Sequence, residues 1–236
     1  MLKAGFVLLT ILLALIFFAF AGKISGKAFT RVSEERQFKT RTAIVLIIWL
    51  GYVSFLSMKG VFLVSSLPPR IPLLLVIPAF LFFAYLFMNR KFKKIITNAP
   101  PSWPVYFQSF RIIVELLLLG LFLQGVLPKT ATFEGYNYDI VIGLTAPLVG
   151  YFMRNTRASH IFVLIWNFAG LLTLVVVVFI LLGHAYFYRL LNENESILGK
   201  GLGQFPFIFL AGFFMPLAVF MHLFSIIKTR KLMING

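Results

Sequence analysis

The chain has 236 residues, of which 60% are hydrophobic and only 12% charged, with a mean hydropathy of +0.95. That balance excludes a soluble domain of ordinary composition and leaves room, at roughly 20 apolar residues per crossing, for about seven membrane spans with short loops. The absence of cysteine excludes disulfides, thiolate nucleophiles and Cys-ligated metals, and the formal charge of +15 sits on basic residues that flank apolar runs, so it reads as membrane topology plus attraction to anionic lipid headgroups rather than nucleic-acid binding.

The first apolar run, Gly5 to Phe20 after Lys3, mimics a signal peptide with Ala19-Phe20-Ala21 as its cleavage site. The strongly basic stretch behind it argues against cleavage, and the run is expected to be a first span over 5–22. A basic connection follows, from Lys23 to Arg41, with a short surface helix expected around Ser33-Glu34-Glu35-Arg36. Span two covers 42–64, with Lys59 snorkelling near its end, and Leu67-Pro68-Pro69-Arg70 stops it. Span three, 71–88, holds Pro72 in its first turn, where proline costs little. Pro78, further in, bends the helix unless neighbours re-satisfy the backbone. The basic run Asn89 to Lys94 ends span three.

Span four runs over 103–127 and span five over 137–153, with Gly143, Pro147 and Gly150 inside the latter. Arg154 and Arg157 form a short basic connection to span six, 160–183. Span seven, 205–227, contains Pro216 and ends in Lys228, Arg230 and Lys231. The connections after spans one, three and five, together with the C-terminal tail, hold 15 of the 22 Lys and Arg. The positive-inside rule then places the N-terminus outside and the C-terminus in the cytoplasm. The expected fold is all-α: one domain over 1–236, a polytopic seven-transmembrane-helix bundle. Trp103 and Tyr106, Tyr136 and Tyr138, and Tyr186 and Tyr188 stand where interface aromatics belong.

Span four carries the polar residues that need a reason. Gln108, Arg111 and Glu115 are spaced i, i+3, i+7 and share one helix face. Glu115 falls near mid-span, with Arg111 about 6 Å closer to the Trp103 end. Either charge alone in a bilayer costs several kcal/mol, so the two are expected to pair and to face the bundle interior. Asn167 in span six and His222 in span seven lie at similar depth and are the expected partners. The bland alternative is that this face only fixes helix registry. No metal site and no cofactor is expected, because three histidines without clustered carboxylates make no ligand set. A second patch, Thr130 to Asp139, offers Glu134 and Asp139 as an external cation or ligand site. The competing reading is a helix start, with Asn137 as cap and Asp139 at the positive end.

The pattern Gln108-x-x-Arg111-x-x-x-Glu115, followed by Thr132-Phe133-Glu134-Gly135-x-Asn137-x-Asp139, resembles small bacterial multi-span membrane proteins of a family without assigned activity. The resemblance covers the central third of the chain. It implies a bacterial inner (cytoplasmic) membrane and a multi-pass protein, and it implies no chemistry.

Three functions compete. The first is transport or permeation of a small solute, an ion or a proton along the Arg111–Glu115 face. The second is a sensor, scaffold or assembly factor that holds a protein partner. The third, a membrane-embedded enzyme, is poorly equipped, because one deep carboxylate beside an arginine is thin machinery for hydrolysis.

Overall fold

The computed structural model describes residues 1–153 and 156–235; Arg154, assigned above to a basic connection, lies outside them. Among the described residues nine α-helices follow one another. These are α1 (Leu2–Ala28), α2 (Val32–Met58), α3 (Ile77–Met88), α4 (Arg90–Asn98), α5 (Trp103–Phe107), α6 (Phe110–Leu123), α7 (Asp139–Phe152), α8 (Arg157–Tyr186) and α9 (Met215–Asn235). The segments Leu2–Ala28, Val32–Met58, Trp103–Leu123, Arg157–Tyr186 and Leu210–Ile234 are long and apolar enough to cross a membrane, which gives five such segments where seven spans were expected.

α1 and α2 form an antiparallel hairpin whose helices run through most of the stretch read above as a basic connection. The reason is local. Glu34 and Glu35 sit in the first turn of α2, where they complement the helix dipole, and Glu35 pairs with Lys39 one turn on.

The third expected span, 71–88, is helical throughout, and a second helix turns off its end. Pro72–Met88 and Arg90–Asn98 meet at 80°. The corner is Asn89, whose Oδ1 accepts hydrogen bonds from the Lys91 and Phe92 backbone N–H groups and so starts a new helix. α4 is amphipathic: Phe92, Ile95 and Ile96 are buried, while Lys91, Lys93 and Lys94 stay exposed.

The fifth expected span, 137–153, is α-helical over Asp139–Phe152. α7 has 14 residues, about 21 Å, which is short of a hydrocarbon core of about 30 Å. It starts deep because the chain after α6 turns back into the bundle. Ala131, Thr132 and Asn137 in this returning segment are fully buried. From there α7 runs alongside α6 and α5. A Cβ on Gly143 would lie 2.9 Å from the backbone nitrogen of Ile112, so only glycine allows this approach.

Two helices pass a proline through a π-turn, and α2 bonds the carbonyl that each proline leaves free. A π-turn, Pro72–Val76, precedes Pro78, and another, Leu210–Phe214, precedes Pro216. Each proline removes the N–H that would bond the carbonyl four residues upstream. Tyr52 donates its hydroxyl to the Leu74 carbonyl at 3.2 Å, and Trp49 donates its indole N–H to the Gly212 carbonyl at 2.7 Å. The carbonyl freed at Pro78 is thus satisfied by a neighbouring helix, and the helix runs on to Met88, which is how proline is tolerated in apolar surroundings. α9, the most buried of the long helices, forms the centre of the bundle and packs along α8.

Candidate functional site

The polar residues of α6 meet partners from α7, α8, α9 and the loop before α7. Arg111 is 2% exposed and Glu115 is 1% exposed. The ion pair expected between them is not made. Arg111 instead pairs with Asp139, through Nε to Oδ2 at 3.2 Å and through Nη2 to Oδ1. Geometry explains the choice. A carboxylate arriving from the start of α7 can meet the guanidinium edge with both oxygens, whereas Arg preceding Glu by four on one helix is the weaker orientation.

Arg111 also donates Nη1 to His222 Nε2 at 2.9 Å and Nη2 to Thr173 Oγ1 at 3.0 Å. Guanidinium has no acceptor, so His222 Nε2 must accept, and its proton therefore sits on Nδ1. That Nδ1–H donates to Asn167 Oδ1 at 2.9 Å, and Asn167 Nδ2 donates to Ser225 Oγ at 3.0 Å and to the Val163 carbonyl at 2.7 Å. Every bond in this string points the same way, from Arg111 toward Ser225. A Cβ on Gly170 would lie 2.4 Å from His222 Cε1, so glycine at this position in α8 is what lets the imidazole in.

Glu115 is handled differently. Both of its oxygens receive the Asn137 amide, at 2.8 and 2.9 Å, and the same Nδ2 also donates to the Ala131 carbonyl. One amide nitrogen with two hydrogens therefore serves three acceptors, and Glu115 is left with one shared N–H for a group that can take about four donors. Asn137 Oδ1 in turn accepts the Asp139 backbone N–H at 3.0 Å, which starts α7.

The expected set is therefore gathered in part. Arg111, Asn167 and His222 are joined, and Glu115 lies beside them on Asn137. Gln108 falls in the break between α5 and α6; it donates Nε2 to the Ala218 carbonyl at 2.9 Å, its Oε1 has no hydrogen-bond partner, and its side chain does not bond Arg111. The external pair of Glu134 and Asp139 is split: Asp139 is buried on Arg111, while Glu134 is exposed beside Lys129 at 3.7 Å. Sequence reasoning missed Asp139 as the arginine's partner, as well as Thr173 and Ser225. The spacing Asn137-x-Asp139 was visible, but nothing in it announced that the loop turns inward.

A cavity of about 170 Å³ opens beside this cluster. Its walls come from Ile71 and Pro72, from Val114 and Leu118 of α6, and from α8 between Leu174 and Tyr186. That stretch of α8 spans about 18 Å. The lining is apolar apart from Glu115 and Asp139, at the end nearest Thr173, and Tyr186 at the other, where its hydroxyl accepts the Ile71 N–H at 3.2 Å. Val178 and Leu182 of α8, both lining residues, are partly exposed.

Fold and site define an all-helical protein with several membrane-length helices, a buried ion-pair network and an apolar cavity ending on two carboxylates. The chain belongs to a domain family of unknown function, DUF8737, whose profile matches residues 68–230. The matched region contains the entire cluster and the cavity lining, and it leaves out α1 and α2. No curated protein and no solved structure matches the chain.

Proposed function

We propose that the protein is a carrier of the cytoplasmic membrane that takes a lipid-soluble solute from the bilayer itself. One observation carries the reading: the 170 Å³ cavity is apolar along its length, counts Glu115 and Asp139 among its few polar lining residues, and is bordered by Val178 and Leu182 of α8, which are partly exposed. Small ligands occupy sites of this kind, where an apolar wall supplies burial and a few polar groups fix orientation. The π-turns ahead of Pro78 and Pro216 both line the cavity, and such local departures from the α-helix are frequent at functional sites. The apolar lining favours a lipid-soluble solute over a hydrated one.

The topology that fits is N-terminus outside and C-terminus cytoplasmic, from the distribution of Lys and Arg. In that arrangement α3 with its bend, and the inward loop followed by α7, complete seven crossings, with α4 lying at the cytoplasmic surface among anionic headgroups.

Bilayer access is testable because the chain has no cysteine. A spin label on Val178→Cys, with the full chain in lipid nanodiscs, should collide readily with dissolved oxygen, which concentrates in lipid. It should collide poorly with a water-soluble nickel chelate. The opposite ranking would mean that the rim opens on water and would overturn the reading.

A further inference from the structure

Charge counting in the cluster points to what the cavity takes. Arg111 carries one positive charge, His222 is held neutral by accepting from it, and Asp139 and Glu115 bring two carboxylates. Asp139 spends both oxygens on the guanidinium. Glu115 has only the shared Asn137 amide, and it lines the cavity. A carboxylate 1% exposed, with neither a cation nor a full set of donors, costs several kcal/mol if it stays ionised and alone. Two occupants remove that cost: a proton on Glu115, or a positive charge arriving in the cavity.

We infer that the cavity binds a lipophilic cation, an apolar body bearing an ammonium-type charge, and that this cation and a proton compete for Glu115. The inference rests on the cavity reading above and narrows it to a substrate class. When the cation enters, its apolar body lies along α8 between Leu174 and Tyr186, and its charge meets the free lone pairs of Glu115. The carboxyl proton leaves to water, so the charge of the site is the same before and after. An anion meets two carboxylates at the same place and is excluded. The charged and titratable groups around Glu115 are Arg111 on its own helix, Asp139 on α7 and His222 on α9. α8 presents Thr173 at that level, and Tyr186 titrates only at the cavity's far end. Arg111 and Asp139 satisfy each other and His222 is committed to Arg111 and Asn167, which leaves Glu115 as the exchanging group.

Phenyltrimethylammonium and tert-butylbenzene test this directly, since they share a shape and differ by one fixed charge. Each is titrated into the full chain in lipid nanodiscs, with calorimetry in two buffers of different ionisation enthalpy to detect released protons. The cation should bind at least about tenfold more tightly than the hydrocarbon, release a proton, and gain affinity as pH rises. Glu115→Gln should lose the cation's advantage and the proton release while still taking up tert-butylbenzene. Equal binding of both compounds without proton release overturns the cation class and leaves the cavity reading standing. Binding of neither overturns both. The proton count on the unaltered protein decides the matter even if the Gln variant is poorly folded.

Discussion

Two neighbouring corners of the buried centre treat charge in opposite ways. Around Arg111, Asp139 closes one side of the guanidinium, His222 accepts from Nη1 and Thr173 from Nη2, and the string continues through Asn167 to Ser225. Around Glu115, a single amide is divided between two oxygens, and the residue lines the cavity. The first corner ties α6, α7, α8 and α9 together; the second touches only the inward loop. Both charges are almost fully buried on the same helix, so charge in an apolar interior does not by itself mark a working site. What separates fastening from function is how completely the partners use up the charge.

Removing the fastening should have the largest effect. Arg111→Met leaves the Asp139 carboxylate buried without its partner, and loss of one member of a buried pair costs about 3–5 kcal/mol. Thermal or denaturant unfolding in mild detergent should register it. The double variant Arg111→Met/Asp139→Leu should recover a large part of the loss, because no charge is then stranded. A double variant as unstable as the single one would show that the pair does more than neutralise itself, and the contrast with Glu115 would have to be redrawn.

A smaller effect should come from Gly170→Ala. The added methyl would stand 2.4 Å from His222 Cε1, so the ring or α8 must move. Overpacking of this kind costs about 1–3 kcal/mol. If the imidazole is displaced, Arg111 loses one acceptor while keeping Asp139, which isolates the contribution of the His222 side of the network. Removing the ring volume with His222→Ala in the Gly170→Ala background separates the steric part from the hydrogen bond. A Gly170→Ala variant as stable as its parent would mean that the α8–α9 approach is looser than the geometry suggests.

Much of this arrangement was legible in the sequence. Composition and long apolar runs pointed to membrane-length helices, because burying backbone in an apolar phase demands helices whatever the details. The i, i+3, i+7 spacing and matching depth were enough to bring Arg111, Asn167 and His222 together on paper. Asp139 was not legible in that role. Hydropathy marks residues 128–138 as polar and therefore external, whereas their polarity serves an inward turn in which Asn137 and Asp139 meet the charges of α6. Trp49 and Tyr52 read as ordinary apolar aromatics, because their acceptors at Gly212 and Leu74 exist only once two proline breaks are brought against α2. α4 does carry a readable signal: Phe92, Ile95 and Ile96 alternate with lysines at helical spacing, a pattern that a reading for charge alone passes over.

The smallest stability effect should belong to Glu115→Gln, and it sharpens the comparison most. On the inference above the carboxyl of the empty site carries a proton, and a glutamine side chain is its neutral counterpart that keeps a carbonyl oxygen for the Asn137 amide. At most one shared hydrogen bond is altered, which costs about 1 kcal/mol. Unfolding should therefore shift by no more than about 1 kcal/mol, against the several expected for Arg111→Met. Measured side by side in the same detergent, the two variants rank the corners without reference to any ligand. A Glu115→Gln variant as damaged as Arg111→Met would place Glu115 inside the fastening. The cavity's carboxylate would then be part of the scaffold, and Asp139 would be left as the acidic group to examine for binding.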